Sequence, residues 1–299
     1  MLLDALRALV YTAVFSLAST PADFRLAHAI GAIDVPRDGR RMHTRPIPRI
    51  GGLSLFASFA IFSMIFCKET AQALSALLLG AVLIVVIGII DDCKSANAGI
   101  KLAFQLCASL ITVITSYRDV GPVLASASIM WLLTLTNAHN FIDGLDGLCA
   151  GVSLNESVAL GIILLLDGEG TAALACFVLG GACIGFSPYN SKNAKIFMGD
   201  TGSTFLGFCL GAISLQLVLS RGYIAILPLV FVFAIPLCDI FFAITRRILN
   251  KKSIFAPDRS HLHHFLADRL GHRSASIVLR LLSAALAMLG IAFYLTDFL

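Results

Sequence analysis

AQALSALLLGAVLIVVIGIIDDCK, residues 71–94, runs twenty residues without a charge and then meets two adjacent aspartates. Twenty apolar residues are about what an α-helix needs to cross the roughly 30 Å hydrocarbon core of a bilayer. Comparable runs occupy about 3–20, 51–67, 71–90, 101–117, 122–138, 147–166, 171–187, 203–219, 223–245 and 276–296. Hydrophobic residues make up 58% of the 299-residue chain and charged residues 13%, against roughly 45–50% and 25% in soluble proteins. The chain is therefore expected to be all-α, a polytopic integral membrane bundle of about ten transmembrane helices. It forms a single domain over 1–299, because no stretch has the composition of a separate soluble unit or linker.

Lysine and arginine orient such a bundle, since cytoplasmic loops collect them. Seventeen lie in one alternating set of loops, among them Arg25, Arg37, Arg40, Arg41, Arg45, Arg49, Lys192, Lys195, Lys252 and Arg259; four lie in the other, Arg7, Lys68, Arg118 and Arg221. The rich set is assigned to the cytoplasm, which puts both termini outside it, in an inner (plasma) membrane protein. Asp4 and Arg7 weaken the first run, and a signal peptide cleaved near Ser19-Thr20 would be an alternative. That alternative would send the arginine-rich 21–50 loop outward, so a retained first helix is expected. The outer links are a few residues each, whereas the inner loops at 21–50, 91–100, 139–146, 188–202 and 246–275 are long and polar. The chemistry is expected on the cytoplasmic face.

The acids fall on that same face: Asp34, Asp38, Asp91, Asp92, Asp143, Asp146, Asp200 and Asp258. Three groups stand where an apolar run ends or begins, in GIIDD, NFIDGLDGL and FMGDTGS. A carboxylate beside hydrocarbon is costly and marks a functional site. Clustered aspartates without thiolate or Glu-His spacing suit a hard, oxygen-seeking cation, Mg²⁺ or Mn²⁺ in its place. Thr201 and Ser203 open a helix whose free N–H groups would favour phosphate, so the set reads as a metal–diphosphate cradle. RSHLHH at 259–264 adds three histidines, read as phosphate contacts in preference to an incomplete zinc site. The arginines of PRDGRRMHTRPIPRIGG can grip anionic substrate or lipid headgroups.

Glu156 and Asp239 lie inside apolar runs, as an ion-coupled transporter would place them or as a buried hydrogen-bonded pair would. The eight cysteines form no CxxC and read as apolar fillers. No basic stripe with interleaved aromatics is present, so no nucleic-acid partner is expected.

The succession GIIDD (88–92), NFIDGLDGL (140–148), NAKIFMGDTGS (193–203) and RSHLHH (259–264) resembles the polyprenyl-phosphate N-acetylhexosamine-1-phosphate transferases, glycosyltransferase family 4. The likeness covers about residues 34–264. It implies Asp200 as the Mg²⁺ ligand, Asp91 and Asp92 as catalytic acids near the lipid phosphate, and Lys101 beside them. It implies Asn140, Asp143 and Asp146 on the nucleotide side, Asn190 and Phe197 at the uracil, and His261, His263 and His264 near the diphosphate and sugar. Lys94 is not carried over, because its spacing in DDCK differs from the peptidoglycan branch. HLHH in place of three consecutive histidines favours the UDP-N-acetylglucosamine branch over the phospho-MurNAc-pentapeptide one. The sequence stops soon after its tenth run, so a further C-terminal helix found in some relatives is expected to be missing.

The resemblance thus implies transfer of N-acetylhexosamine-1-phosphate from a UDP-N-acetylhexosamine to a polyprenyl phosphate lipid, with release of UMP, at the start of a cell-envelope glycan pathway. A homodimer is kept open as the assembly. Two other classes fit the sequence less well. A CDP-alcohol phosphotransferase needs Ala-Arg and spaced aspartates after its Asp-Gly, and Asp143-Gly144 continues instead as Leu-Asp-Gly-Leu. A secondary transporter would show repeats and midplane sites, whereas these polar residues gather at one face.

Overall fold

The computed structural model describes residues 1–36, 45–67, 71–116, 120–191, 193–251 and 261–296. Arg37, Asp38, Arg40, Arg41, Lys68, Arg118, Lys192, Lys252, Asp258 and Arg259 lie outside the described residues.

The architecture is the expected all-α membrane bundle. Helices run α1 (Leu2–Ile30), α2 (Gly52–Phe66), α3 (Ala71–Lys94), α4 (Ala98–Ser116), α5 (Pro122–Ile142), α6 (Leu148–Leu166), α7 (Gly170–Asn190) and α8 (Gly199–Arg221). A 3₁₀ turn (Gly222–Ala225) leads to α9 (Ile226–Val232), α10 (Ala234–Leu249), α11 (Leu262–Leu270) and α12 (His272–Thr296). A small antiparallel ladder, β1 (Ile33–Asp34) with β2 (Ile47–Pro48), ties down the loop after α1. Among the described residues seven segments are long and apolar enough to cross a bilayer: α1, α3, α4, α6, α7, Gly199–Val232 and α12. α2 is apolar but has only 15 residues.

The expected single run 223–245 is interrupted at Phe233. Pro236 lacks an N–H and its ring crowds the carbonyl four residues back, at Val232. The helical ladder resumes on each side, with Phe233 N–H donating to Leu229 and Leu237 N–H to Phe233. In contrast, α1 carries Pro21 and still runs 29 residues, past the expected end near residue 20.

α8 is the central post, buried along almost its whole length and packed by α2, α3, α5 and α6. Its start comes within backbone contact of two neighbours. A Cβ on Gly52 would lie 2.2 Å from the Gly202 nitrogen, and one on Gly88 would lie 2.5 Å from Thr201 Cα. Only glycine allows this approach, and it brings the ends of α2, α3 and α8 together.

The two ends of the bundle can be told apart by contacts. At one end the Met1 side chain lies against Gly170, Cys67 Sγ donates to the Thr171 carbonyl, and Tyr294 donates to Asp167. The starts of α2, α4, α6, α8 and α12 and the close of α3, α5 and α7 meet at the other end, where the acidic motifs lie.

Candidate active site

Asp91 and Asp92 close α3, and Asp200 stands in the first turn of α8. The Asp92 carboxylate is fully covered and turned into the start of α8. Its Oδ1 accepts from Asp200 N (3.0 Å) and Arg49 Nε (3.0 Å), and its Oδ2 accepts from Thr201 N (3.0 Å) and Thr201 Oγ1 (2.7 Å). Gly199, at φ +70°, makes room: a Cβ there would sit 2.4 Å from Asp92 Oδ2. This corrects one expectation. The amides of Asp200 and Thr201 are not free for phosphate, because a helix start inside the bundle had to be capped and α3 supplies the cap.

Asp200 is bridged from both sides. Lys101 Nζ pairs with its Oδ2 and also reaches Asp91 Oδ2 at 3.3 Å, while Arg49 Nη2 lies 3.4 Å from its Oδ1. Asp91 Oδ1 accepts from Ala96 N at 2.7 Å, which fixes the α3–α4 turn. Arg49 is held by main-chain pairing: Phe197 N donates to Pro48 O (2.7 Å) and Gly51 N to Phe197 O (3.0 Å). Asp143, just past α5, is pushed up to about 7, by burial first and then by the neighbouring charges of Asp200 and Asp92. The acids drawn from three distant motifs therefore converge.

A cavity of about 1430 Å³ opens beside Asp200, with Arg49, Asn140, Asp143, Asp146, Asn190 and Phe197 on its wall. Asn140 Nδ2 donates to Ser203 Oγ at 3.1 Å. Asp146 Oδ2 accepts from Ala194 N at 2.9 Å. The Asn190 amide is engaged within the protein: Oδ1 accepts from Gly147 N (3.1 Å) and Nδ2 donates to Ile196 O (3.0 Å), locking the two loops together. Asp91, Lys101 and the three histidines do not line this cavity; they flank it.

The histidines are organised from behind by an acid. Asp239 accepts from His261 Nδ1 (2.7 Å) and from Leu262 N (2.7 Å), so it orients the ring and caps α11 together. His261 also packs on Phe141, with ring centroids 5.2 Å apart. His263 is buried against Gly144, and neither ring nitrogen has a hydrogen-bond partner among the described residues. Burial, then the His264 ring, pulls its pKa down to about 3, so it is neutral. Glu156, the other acid inside a run, pairs with His139 Nε2 at 2.7 Å with both side chains fully buried. Both acids are thus the hydrogen-bonded partners of histidines.

Among the described residues no three His, Cys, Asp or Glu side chains are grouped closely enough to hold a metal ion. The charge balance nevertheless suits a divalent cation. Among the described residues the ion pairs on Asp91, Asp92 and Asp200 come from Lys101 and Arg49, Asp143 lies within reach of the Arg49 charge, and the groups these acids offer are all oxygens.

Arg49, from the arginine stretch expected to grip anionic substrate, lines the cavity. Two further cations on its wall carried no such signal: Arg273 is an ordinary loop charge in the sequence and Arg280 lies inside the last apolar run.

The fold and site define a membrane-embedded helical enzyme that handles anionic substrates at one end of its bundle. Residues 74–218 match the model of glycosyl transferase family 4. The chain is 36% identical over 278 residues to the probable undecaprenyl-phosphate N-acetylglucosaminyl 1-phosphate transferase of Bacillus subtilis, covering 88% of this chain and 77% of that protein. It is 36% identical over 299 residues to the decaprenyl-phosphate N-acetylglucosaminephosphotransferase of Mycobacterium tuberculosis H37Rv, covering 85% and 73%. It is 30% identical over 288 residues to the undecaprenyl-phosphate alpha-N-acetylglucosaminyl 1-phosphate transferase of Escherichia coli K12, covering 89% and 78%. The chain belongs to glycosyl transferase family 4.

Proposed function

We propose that the chain transfers N-acetylglucosamine-1-phosphate from UDP-N-acetylglucosamine to a polyprenyl phosphate, releasing UMP, as a first step in building a cell-envelope glycan. The convergence of the 91–92, 143–146 and 200 acids beside one large cavity carries this reading, and the names of the relatives support the substrates.

In this reaction an oxygen of the lipid phosphate bonds to the β-phosphorus of the donor. The bond from that phosphorus to the bridging oxygen breaks, and the oxygen leaves with UMP. A phosphate monoester is already mostly dianionic at pH 7, with a second pKa near 6, so no strong base is required and direct attack is favoured over an aspartyl-phosphate route. The problem is crowded negative charge, and positioned cations answer it. Lys101, held between Asp91 and Asp200, faces the incoming lipid phosphate. Asp92 cannot serve as a base while four donors occupy its oxygens; it positions Asp200. His261, oriented by Asp239, directs its other nitrogen to the diphosphate. Asp200, with Asp143 beside it, would hold Mg²⁺, which supplies positive charge to the diphosphate.

The same reading places this end of the bundle at the cytoplasmic face, with ten passes and both termini outside. The seventeen-to-four loop charge imbalance supports it. So does the way successive helices alternate between the two ends, with α9 and α10 acting as one broken pass.

The test is purified protein with polyprenyl phosphate, Mg²⁺ and a panel of UDP-hexosamines. UDP-N-acetylglucosamine should give lipid-linked product and stoichiometric UMP; turnover of none of the panel sinks the proposal.

A further inference from the structure

We infer that Arg280, part-way down α12, is an anchor for the nucleotide half of the donor, the half that leaves as UMP. This rests on the donor assigned above.

Arg280 stands within the apolar stretch SIVLRLLSAALAMLG (276–290), and of the 22 lysines and arginines it is the one that belongs to neither set of loops. A cation inside a spanning helix is expensive and is kept where it faces a site. This one does not turn to lipid. It is half-buried on the cavity wall, near Asp146, Asn190 and Ser276. Its stem lies in a slot over Gly151 of α6: a Cβ there would come 2.1 Å from Arg280 Nε and 2.6 Å from Cδ.

The guanidinium is also unspent. Lys101 and Arg49 are paired by carboxylates, but no ion pair or hydrogen bond engages the Arg280 guanidinium among the described residues. Its main-chain carbonyl accepts from Asn155 Nδ2 at 2.8 Å, which leaves the side chain out of that bond. A planar fork of five donors facing an open cavity needs oxygen acceptors, and a pyrimidine nucleotide supplies them.

The placement selects which part of the donor arrives there. Lys101 and Asp91 flank Asp200, where the diphosphate must meet the lipid. Arg280 belongs instead to the wall built by the 143–147 loop and α12, which Ser276 Oγ joins by donating to Asp146 O at 2.9 Å. With the diphosphate at Asp200, the nucleotide extends toward that wall.

Two variants of the full chain test this, Arg280→Met and Gly151→Ala. The second keeps the charge but pushes the arginine stem out of its slot. The colliding atoms are the far end of a flexible side chain, so the fold can absorb it. UMP binding by calorimetry, without lipid acceptor, should weaken roughly tenfold or more in Arg280→Met and less, in the same direction, in Gly151→Ala. The KM for UDP-N-acetylglucosamine should rise in parallel while the KM for polyprenyl phosphate stays put. UMP affinity equal to wild type, or an equal loss toward the lipid phosphate, overturns the inference. If Arg280→Met does not fold, Gly151→Ala decides alone. UMP binding is independent of turnover, so failure of the donor assignment and failure of the Arg280 role are read separately.

Discussion

The two ends of this bundle handle buried polar groups in opposite ways. At the end away from the site, Asp167 takes hydrogen bonds from Ser220, Arg221 and Tyr294, and Gln216 donates to Glu169 at 3.0 Å. Burial works against the Asp167 charge, yet those donors hold its carboxyl below the ordinary range. Each of these named groups is paired, and the network clasps α6, α8 and α12. At the site end, among the described residues, Lys101 and Arg49 are shared between Asp91, Asp92 and Asp200, Asp143 is pushed up to about 7, and neither nitrogen of buried His263 has a hydrogen-bond partner. A protein keeps such unresolved electrostatics where a ligand completes them. The contrast separates a fastening from a workplace.

The sharpest way to break that contrast is Asp200→Asn. UMP release should fall by about a thousandfold with helical content and detergent-solution melting unchanged; a mild loss would remove Asp200 from the centre. Asp92→Asn should act on both stability and rate. It strips a buried partner from Arg49 and weakens the cap of α8, which costs about 3–5 kcal/mol, visible as a lower melting temperature. A melting curve identical to wild type would show that α8 does not depend on it. Asp239→Asn should lower kcat by up to about a hundredfold through the misoriented His261, with UMP affinity preserved. Equal loss of UMP binding would make Asp239 a general packing residue instead. At the other end, Tyr294→Phe should cost about 1 kcal/mol of stability and leave turnover alone. A turnover loss comparable to Asp200→Asn would erase the distinction between the ends.

Much of the site could be read beforehand because its acids are anomalous locally: Asp91, Asp143 and Asp200 each interrupt hydrocarbon, and neighbouring glycines mark the close approaches. What escaped were relations without a local signature. Asp239 and His261 are 22 residues apart, so a buried hydrogen-bonded pair could be read from the intramembrane acid but its partner could not be named. Arg280 was hidden because a run-finding eye absorbs one charge into a long apolar segment. Asn190, expected at the uracil, does stand on the cavity wall; its second task of locking two loops, accepting from Gly147 N and donating to Ile196 O, had no local signal. The break at Phe233 was legible in Pro236, whose cost to a helix outweighs the apolar run around it. The capping of α8 by Asp92 was not, since helix starts are satisfied by whatever the tertiary fold brings near.

The shortness of α2 has a consequence for the lipid. Its 15 residues rise about 22 Å, and they lead from the Asp167 end straight to Gly52, next to Arg49. A bilayer's oily layer is roughly 30 Å deep, so this helix falls several ångströms short of the layer it has to cross. Bilayer thickness should therefore matter to this protein, with thin membranes matching α2 and thick ones having to thin around it.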